Sequence, residues 1–290
     1  MPLPRGLPVV DHHCHLSPSG EGVAAVRRFR AAGGTHLFLA TQNYETGFPR
    51  ALEDYRRQFE TTERLARRIQ EETGVVAYCV VAPYPIDLVS AGPILGAEAA
   101  LNVHRAALDL AGAWVREGRA VALGEVGRAH FPVADELTAL IESGFHHAFE
   151  VARDVGCPLI VHSADLDAAG FRELAERARE AGVPPGHVVK HYARAQVRAE
   201  EVGGVVPSYL ARRELVQAVR TDAGPWFLET DFLDDPTRPG AVLDLATIPR
   251  RALAIAEASP DGADRLAIPF VESVAKVYGL RLEVPDGGTS

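Results

Sequence analysis

Histidines and carboxylates stand near the ends of several short apolar segments of this 290-residue chain. A strand buried on both faces should exclude such groups unless they have a partner. In the first segment, His13 and His15 are two residues apart, so in a strand they point to the same side, about 6.6 Å apart along it. Two imidazoles placed in this way can hold one metal ion. His12 and Cys14 have the opposite parity, and we expect them to face the surrounding helices.

Four later segments carry the same kinds of residue. Glu125 lies between apolar neighbours and two glycines, while His162 and His191 each follow apolar residues. In the last segment, Glu229 and Asp231 share one side by parity. A single buried histidine is more often a hydrogen-bonded core residue than a ligand, but five segments that share this feature indicate a common site.

Four imidazoles and two carboxylates are enough ligands for two divalent ions. A glutamate shared between the ions would hold them roughly 3.5–4 Å apart, which is the spacing of two-metal hydrolytic sites. These ligand types do not distinguish Zn, Mn, Mg, Co, Ni and Fe, although the four histidines favour Zn.

The segments that must position these residues alternate with amphipathic stretches along the chain, which is typical of βα units with a parallel sheet. One such stretch, Glu136 to Val155, repeats apolar residues at helical spacing. Because the apolar runs are nearly continuous, we predict a single (β/α)₈ TIM barrel, parallel and eight-stranded, that spans residues 1–290 as one domain. The eight predicted strands are Val9 to Leu16, Thr35 to Thr41, Val75 to Ala82, Ala120 to Val126, Pro158 to Ser163, His187 to Tyr192, Gly204 to Leu210 and Trp226 to Phe232.

Composition and missing motifs exclude several other functions. The chain contains neither a GxGxxG turn after the first strand nor a GxxxxGK[ST] loop, so nicotinamide binding and P-loop chemistry have no support. The net charge of −9 does not favour binding to long nucleic acids or to anionic membranes. The three cysteines fit no zinc-finger spacing, and we expect a reduced, cytoplasmic protein without disulfides.

The ordered set of motifs resembles the TatD-type branch of the metal-dependent amidohydrolase superfamily, over nearly the whole chain. The resemblance rests on His13-Cys14-His15 after Asp11, on Gly124-Glu125-Val126-Gly127, on His162 and His191, and on Glu229-Thr230-Asp231. It implies that His13, His15 and Asp231 bind one metal ion and that His162 and His191 bind the second. Glu125 would bridge the two ions. The segment from Asp234 to Gly240 further resembles an archaeal-type TatD-related group.

The chain departs from the TatD nucleases around this set of ligands. Arg128-Ala129 replaces the usual Leu-Asp, and Tyr192-Ala193-Arg194 replaces Cys-Phe-Ser. Arg128 and Arg194 could clamp a phosphate or carboxylate, or they could be solvated loop residues. Tyr44 could shape the substrate pocket. His130, in the loop after the fourth strand, is less easily given a structural role than the histidines in helices.

Three long loops follow predicted strands two, three and eight. Gln42 to Pro49, Pro83 to Gly96 and Leu233 to Pro249 would form either a rim around the substrate or a decoration without a role.

The resemblance implies a divalent-metal-dependent hydrolase in which a metal-activated hydroxide attacks a phosphodiester, as in a DNase or exonuclease. Asp231 and Glu125 would be its catalytic residues, with Asp231 also accepting a proton from the water. An amidohydrolase acting on a small amide, ester or lactone is the alternative. A catalytically vestigial barrel that serves as a binding protein is a third reading. The oligomeric state is left open.

Overall fold

Parallel strands alternate with helices in the computed structural model, which describes residues 3, 6–45, 47–193, 199–214, 224–235, 237 and 242–284. The strands are β1 (Val10–His15), β2 (His36–Ala40), β3 (Val76–Val81), β4 (Ala122–Gly127), β5 (Leu159–His162), β6 (Val188–Ala193), β7 (Val206–Leu210), β8 (Phe227–Glu229) and β9 (Phe232–Leu233). The α-helices are Val23–Ala31, Leu52–Thr73, Asp87–Leu95, Ala97–Arg116, Asp135–Val155, Ala168–Glu180, Thr247–Ala258, Gly262–Arg265 and Ser273–Tyr278. Short 3₁₀ turns at Pro185–His187 and Ala199–Glu201 and a π-helical turn at Ile268–Glu272 complete the regular structure of the described residues.

The strands of the described residues form one parallel sheet in the order β8-β7-β6-β5-β4-β3-β2-β1-β9. The two edge strands, β8 and β9, are separated in the sequence only by Thr230 and Asp231. The sheet therefore curls round until both of its edges come from neighbouring parts of the chain. This is a TIM-like α/β arrangement.

The predicted parallel architecture is confirmed, but the described residues contain nine strands instead of eight. The predicted eighth strand, Trp226 to Phe232, is divided because Asp231 has a φ of 48°. A residue in the left-handed region cannot continue a pleated strand. β8 pairs with β7, and β9 pairs with β1.

Burial explains why the helices form where they do. The helix Asp135–Val155 agrees with the predicted stretch and buries Leu140, Ile141 and Phe145 on its apolar face. It ends at Gly156, whose φ of 75° places it in the left-handed conformation that glycine adopts most readily.

The segments after β2, β3 and β9 correspond to the three long loops predicted from the sequence. The predicted loop after β3 contains the helix Asp87–Leu95, which packs through Leu88 and Ala91 against Leu140. The loop after β2 is described except for residue 46, and the segment after β9 is described only in part.

Cys14, Cys79 and Cys157 are all buried, and none of them is joined in a disulfide. None of the described helices is both long enough and apolar enough to cross a bilayer.

Candidate metal centre

β1 places His13 and His15 side by side in the interior. Their Nε2 atoms are 3.1 Å apart, and both residues are buried. His12 points the other way, because its ring stacks on Phe227 at 3.7 Å between centroids and its Nε2 lies 2.5 Å from the Tyr278 hydroxyl. The predicted alternation along this strand is confirmed for these residues, although the pairing with β2 is irregular between Asp11 and Cys14.

Glu125, near the end of β4, lies between the other groups. Its Oε1 is 2.6 Å from His191 Nε2, 3.3 Å from His162 Nδ1 and 3.4 Å from His13 Nε2. Its Oε2 is 3.7 Å from His15 Nε2. One carboxylate therefore contacts all four histidines of the predicted ligand set.

Asp231 reaches the same place from the break between β8 and β9. Its Oδ1 lies 3.8 Å from His15 Nε2 and 3.9 Å from His13 Nε2. Its backbone N–H donates to the His13 carbonyl over 3.0 Å, so the left-handed turn is tied directly to β1.

The six groups form two overlapping sets of possible metal ligands. The first set has spacings of 3.1–3.9 Å, and the second has spacings of 2.6–3.3 Å. Donors that surround a zinc ion tetrahedrally at about 2.1 Å are about 3.4 Å apart, so the residues present fit such an ion. The first set consists of His13, His15, Glu125 and Asp231, and the second of Glu125, His162 and His191.

Burial and mutual charge shift the pKa values of these groups. Burial opposes the charge of His191, but the Glu125 carboxylate outweighs it and raises the pKa of His191 to about 10. Burial raises the pKa of Asp231 to about 6. Burial and the neighbouring His13 lower the pKa of His15 to about 4. Protons and cations would therefore compete for the same buried atoms.

Glu229 supports the centre from behind instead of joining it. Its Oε1 lies 3.4 Å from His191 Nδ1 and accepts a hydrogen bond from the Tyr192 backbone N–H over 2.7 Å. Ser208 donates to its other oxygen. A carboxylate on the far nitrogen fixes the orientation and tautomer of a ligating histidine. The alternation of side chains in the last predicted strand placed Glu229 on the same side as Asp231, but it did not predict the contact of Glu229 with His191.

Asp11, within β1, supports the first set of ligands in a similar way. Its carboxylate accepts hydrogen bonds from the backbone N–H of Thr230 over 3.0 Å and from the Thr230 hydroxyl over 2.6 Å. Burial raises the pKa of Asp11 to about 7. These contacts join β1 to the residue that precedes Asp231.

Lys190 is fully buried at the end of β6. Its Nζ donates to the backbone carbonyls of Ser163, over 3.3 Å, and His191. It thereby links the ends of the strands that carry His162 and His191. Burial lowers the pKa of Lys190 to about 8.

A cavity of about 920 Å³ opens above the six groups. Glu125, His162, His191 and Asp231 form its inner end, and the wall includes Gln42, Asn43, Gln58, Tyr84, Asp87, His130 and Asp165. Among the described residues that line this cavity there is no arginine or lysine.

Arg128 and Tyr44, the two predicted substrate residues that the structure describes, are not part of the cavity wall. The Arg128 guanidinium instead donates to Glu173 over 2.7 and 2.8 Å and to Glu142, because two neighbouring helices place their carboxylates beside it. The Tyr44 hydroxyl is bonded to Thr62 over 2.8 Å and is absent from the cavity wall. The assignment of Arg128 and Tyr44 to substrate binding therefore stays a prediction, with both side chains directed to partners outside the cavity wall. Arg194 and most of the segment from residue 236 to residue 240 lie outside the described residues.

Two wall residues contact the ligand set from outside. His162 Nε2 lies 2.8 Å from His130 Nδ1 and 3.3 Å from the Tyr84 hydroxyl. Sequence reasoning did not single out Tyr84. Its position directly after an apolar strand was the available signal.

Solved structures share this fold. YjjV, a TatD homologue from Escherichia coli, has a TM-score of 0.63 at 18% identity and covers 93% of this chain and 98% of its own. The TatD-like protein from Archaeoglobus fulgidus has a TM-score of 0.59 at 16% identity, with coverages of 93% and 100%. The organophosphorus hydrolase from Deinococcus radiodurans has a TM-score of 0.60 at 17% identity, with coverages of 94% and 92%.

The sequence itself is similar to one curated relative and to one family. An uncharacterized protein of Methanocaldococcus jannaschii is 28% identical over 288 residues, which are 98% of this chain and 100% of that protein. The profile of the family described as TatD related DNase matches residues 10–279. The chain therefore belongs to the TatD related DNase family.

Proposed function

We propose that this protein is a metal-dependent hydrolase with two divalent cations, most favourably zinc, at the inner end of the cavity. The observation that carries the proposal is that Glu125 contacts all four predicted histidine ligands within 3.7 Å. The proposal treats β8 and β9 as the two halves of one strand of an eight-stranded barrel. It assigns the first cation to His13, His15 and Asp231, the second to His162 and His191, and places Glu125 between them.

Asp231 and Glu229 have different proposed roles around this centre. Divalent ions bound here would polarise a phosphoryl or carbonyl oxygen and lower the pKa of a water toward about 7. Asp231 lies at the cavity surface with its side chain 19% exposed, so one of its oxygens is available to accept a proton from the attacking water and return it to the leaving group. Glu229 holds the His191 ring in position.

The family favours a phosphodiester substrate, because its description names a DNase. The cavity wall supports a second candidate, a small ester or lactone. Asp87 and Asp165 line the cavity, and no basic residue does so among the described ones. A polynucleotide would have to be held against this acidic wall and against a net charge of −9.

Elemental analysis of protein purified without chelator tests the proposal. We expect about two divalent ions per chain, and metal-dependent hydrolysis in a screen of bis(p-nitrophenyl) phosphate, single-stranded oligonucleotide, p-nitrophenyl acetate and γ-lactones. His162→Ala is the control, because hydrolysis that survives it would come from a contaminant. Metal content near zero even after incubation with zinc would contradict the proposal and favour a binding protein with a vestigial site.

A further inference from the structure

Two hydrogen-bond acceptors line the cavity without belonging to the candidate metal centre. Gln58 lies on the helix Leu52–Thr73 and is 7% exposed, and Asp87 begins the helix that follows β3. Both residues belong to the cavity wall. Their side-chain hydrogen bonds go to Asn43 and Tyr55, which are not among the six groups of the centre. The proposed two-metal chemistry therefore does not use them.

Backbone groups fix the orientation of the Gln58 amide. Asn43 Oδ1 accepts a hydrogen bond from the Glu45 N–H over 3.2 Å, and Asn43 Nδ2 donates to the Gly47 carbonyl. These two contacts determine which end of the Asn43 amide is the oxygen. Gln58 Nε2 donates to that oxygen over 3.1 Å, so Gln58 Oε1 accepts no hydrogen bond from the described residues. A nearly buried oxygen of this kind is stabilised by a ligand that supplies a hydrogen.

Asp87 is held near Gln58 by the same helix. Its Oδ2 accepts a hydrogen bond from the Tyr55 hydroxyl over 3.0 Å. Tyr55 and Gln58 are three residues apart, so they are neighbours on one face of that helix. Burial raises the pKa of Asp87 to about 7, although hydrogen bonds from Tyr55 and from the Tyr84 backbone N–H oppose the rise. Among the described residues of the cavity wall, no arginine or lysine balances the charge of this carboxylate.

Tyr84 connects this pair of acceptors to the metal centre. Its backbone N–H bonds to the Asp87 carboxylate, and its hydroxyl lies 3.3 Å from His162 Nε2. One tyrosine residue therefore separates Asp87 from a proposed ligand of the second cation. A small substrate can reach both places at once, because Gln58, Asp87, Tyr84 and His162 line the same cavity of about 920 Å³.

We infer that Gln58 Oε1 and the Asp87 carboxylate bind a primary ammonium group of the substrate. An ammonium group has three N–H donors and one positive charge, so it satisfies both acceptors and neutralises Asp87. A hydroxyl group would donate one hydrogen and leave a buried negative charge unpaired. The inference rests on the proposed function and narrows its second candidate to small esters or lactones that carry an amine.

Binding of an amine tests this subsite without turnover. Benzylamine is titrated by ligand-observed NMR at about pH 8, where Asp87 is ionised and the amine keeps its proton. We expect binding with and without zinc, and weaker binding of benzyl alcohol. Asp87→Asn should weaken the binding of benzylamine by about 10- to 100-fold, and Gln58→Met should weaken it by about three- to tenfold.

Asp165→Asn is the matched control, because it removes the same charge from the same cavity wall. It should change the affinity for benzylamine by less than about threefold. An equal loss of affinity in Asp165→Asn and Asp87→Asn would overturn the inference, and so would the absence of binding to the wild-type protein. Binding only after zinc is added would also overturn it, because the amine would then ligate the metal ion.

Hydrolysis distinguishes this inference from the proposed function. The zinc-loaded protein is given p-nitrophenyl p-(aminomethyl)benzoate and p-nitrophenyl p-methylbenzoate. The ratio of their kcat/KM values should favour the amine and should fall by about tenfold or more in Asp87→Asn. An unchanged ratio in Asp87→Asn would overturn the inference and leave the hydrolase intact. A wild-type protein that takes up no zinc would contradict the proposed function, while the binding of benzylamine could still be measured.

Discussion

The two halves of the candidate metal centre are held in different ways. Around His13 and His15 the support comes from hydrogen bonds between β1 and the segment after β8: the Asp231 N–H donates to the His13 carbonyl, and the Asp11 carboxylate accepts from the Thr230 N–H over 3.0 Å. Around His162 and His191 the support comes from side chains. Glu229 lies 3.4 Å from His191 Nδ1, and His162 is in contact with His130 and Tyr84 on the cavity wall.

This difference indicates that the two halves should differ in how firmly they hold a cation. Both halves reach the cavity, because His15 and Asp231 of the first half line it together with His162 and His191 of the second. The first half is fixed by backbone hydrogen bonds between β1 and the break after β8, so its ligands are preorganised before any ion binds. The rings of the second half depend on side-chain partners that a substitution can change, and we expect the second cation to exchange more readily.

The largest effect is expected from Asp231→Asn, which removes the proposed proton acceptor of the first half. Turnover should fall by about 10²- to 10⁴-fold, while the melting temperature and the zinc content of the second half change little. Steady-state kinetics with elemental analysis measure both. Asp235→Asn, in the same segment, is the matched control. Unchanged turnover in Asp231→Asn would refute its role.

Glu229→Gln should lower the zinc affinity of the second half and leave that of the first half unchanged. Loss of the carboxylate behind His191 should weaken binding of the second zinc ion by about 10- to 100-fold. The first ion should be retained, because none of its ligands contacts Glu229. Competition with a chromophoric chelator resolves the two affinities. Asp11→Asn is the counterpart in the first half, where it should weaken the first ion. Equal weakening of both ions in Glu229→Gln would contradict the comparison.

Zinc binding to the second half should release protons. The Glu125 carboxylate holds the pKa of His191 at about 10 against the effect of burial, so at pH 7 the metal-free protein carries a proton on His191. That proton must leave, and zinc affinity should therefore rise with pH up to about 10, by up to about tenfold per unit for each proton released.

The raised pKa of His191 also makes the stability of the metal-free fold fall as the pH rises, whereas zinc affinity rises. The raised pKa of His191 contributes stability that is fully present below the unfolded pKa of 6.5 and is lost as the pH rises through about 10. The proton release on zinc binding is measured by titration calorimetry of zinc into the metal-free protein, in buffers of different ionisation enthalpy. His187→Asn is the control. Zinc binding without proton release would show that His191 is neutral at pH 7.

The smallest effect on catalysis is expected from Arg128→Gln. Its guanidinium pairs with Glu142 and Glu173, so the substitution should change KM by less than about twofold and lower the free energy of unfolding by about 1 kcal/mol. Kinetics and denaturant unfolding give the two values. A large rise in KM would mean that Arg128 turns into the cavity during turnover.

The sequence predicted more of the candidate metal centre than of the residues around the cavity. His13 and His15 follow from strand parity, and the positions of Glu125, His162 and His191 at strand ends follow from the alternation of strands and helices. Arg128 and Tyr44 could not be placed in this way, because a loop side chain takes whichever partner the neighbouring helices offer.

The sequence by itself determined the alternating βα pattern, the family, and the residue types that meet at the inner end of the sheet, because the period of a strand and the order of the segments are local properties. Only the tertiary structure decided that Asp231 breaks the last strand, that Glu229 stands behind His191, and that His130 rather than an arginine faces the cavity. Those outcomes depend on distances between residues far apart in the chain, and no local pattern encodes them.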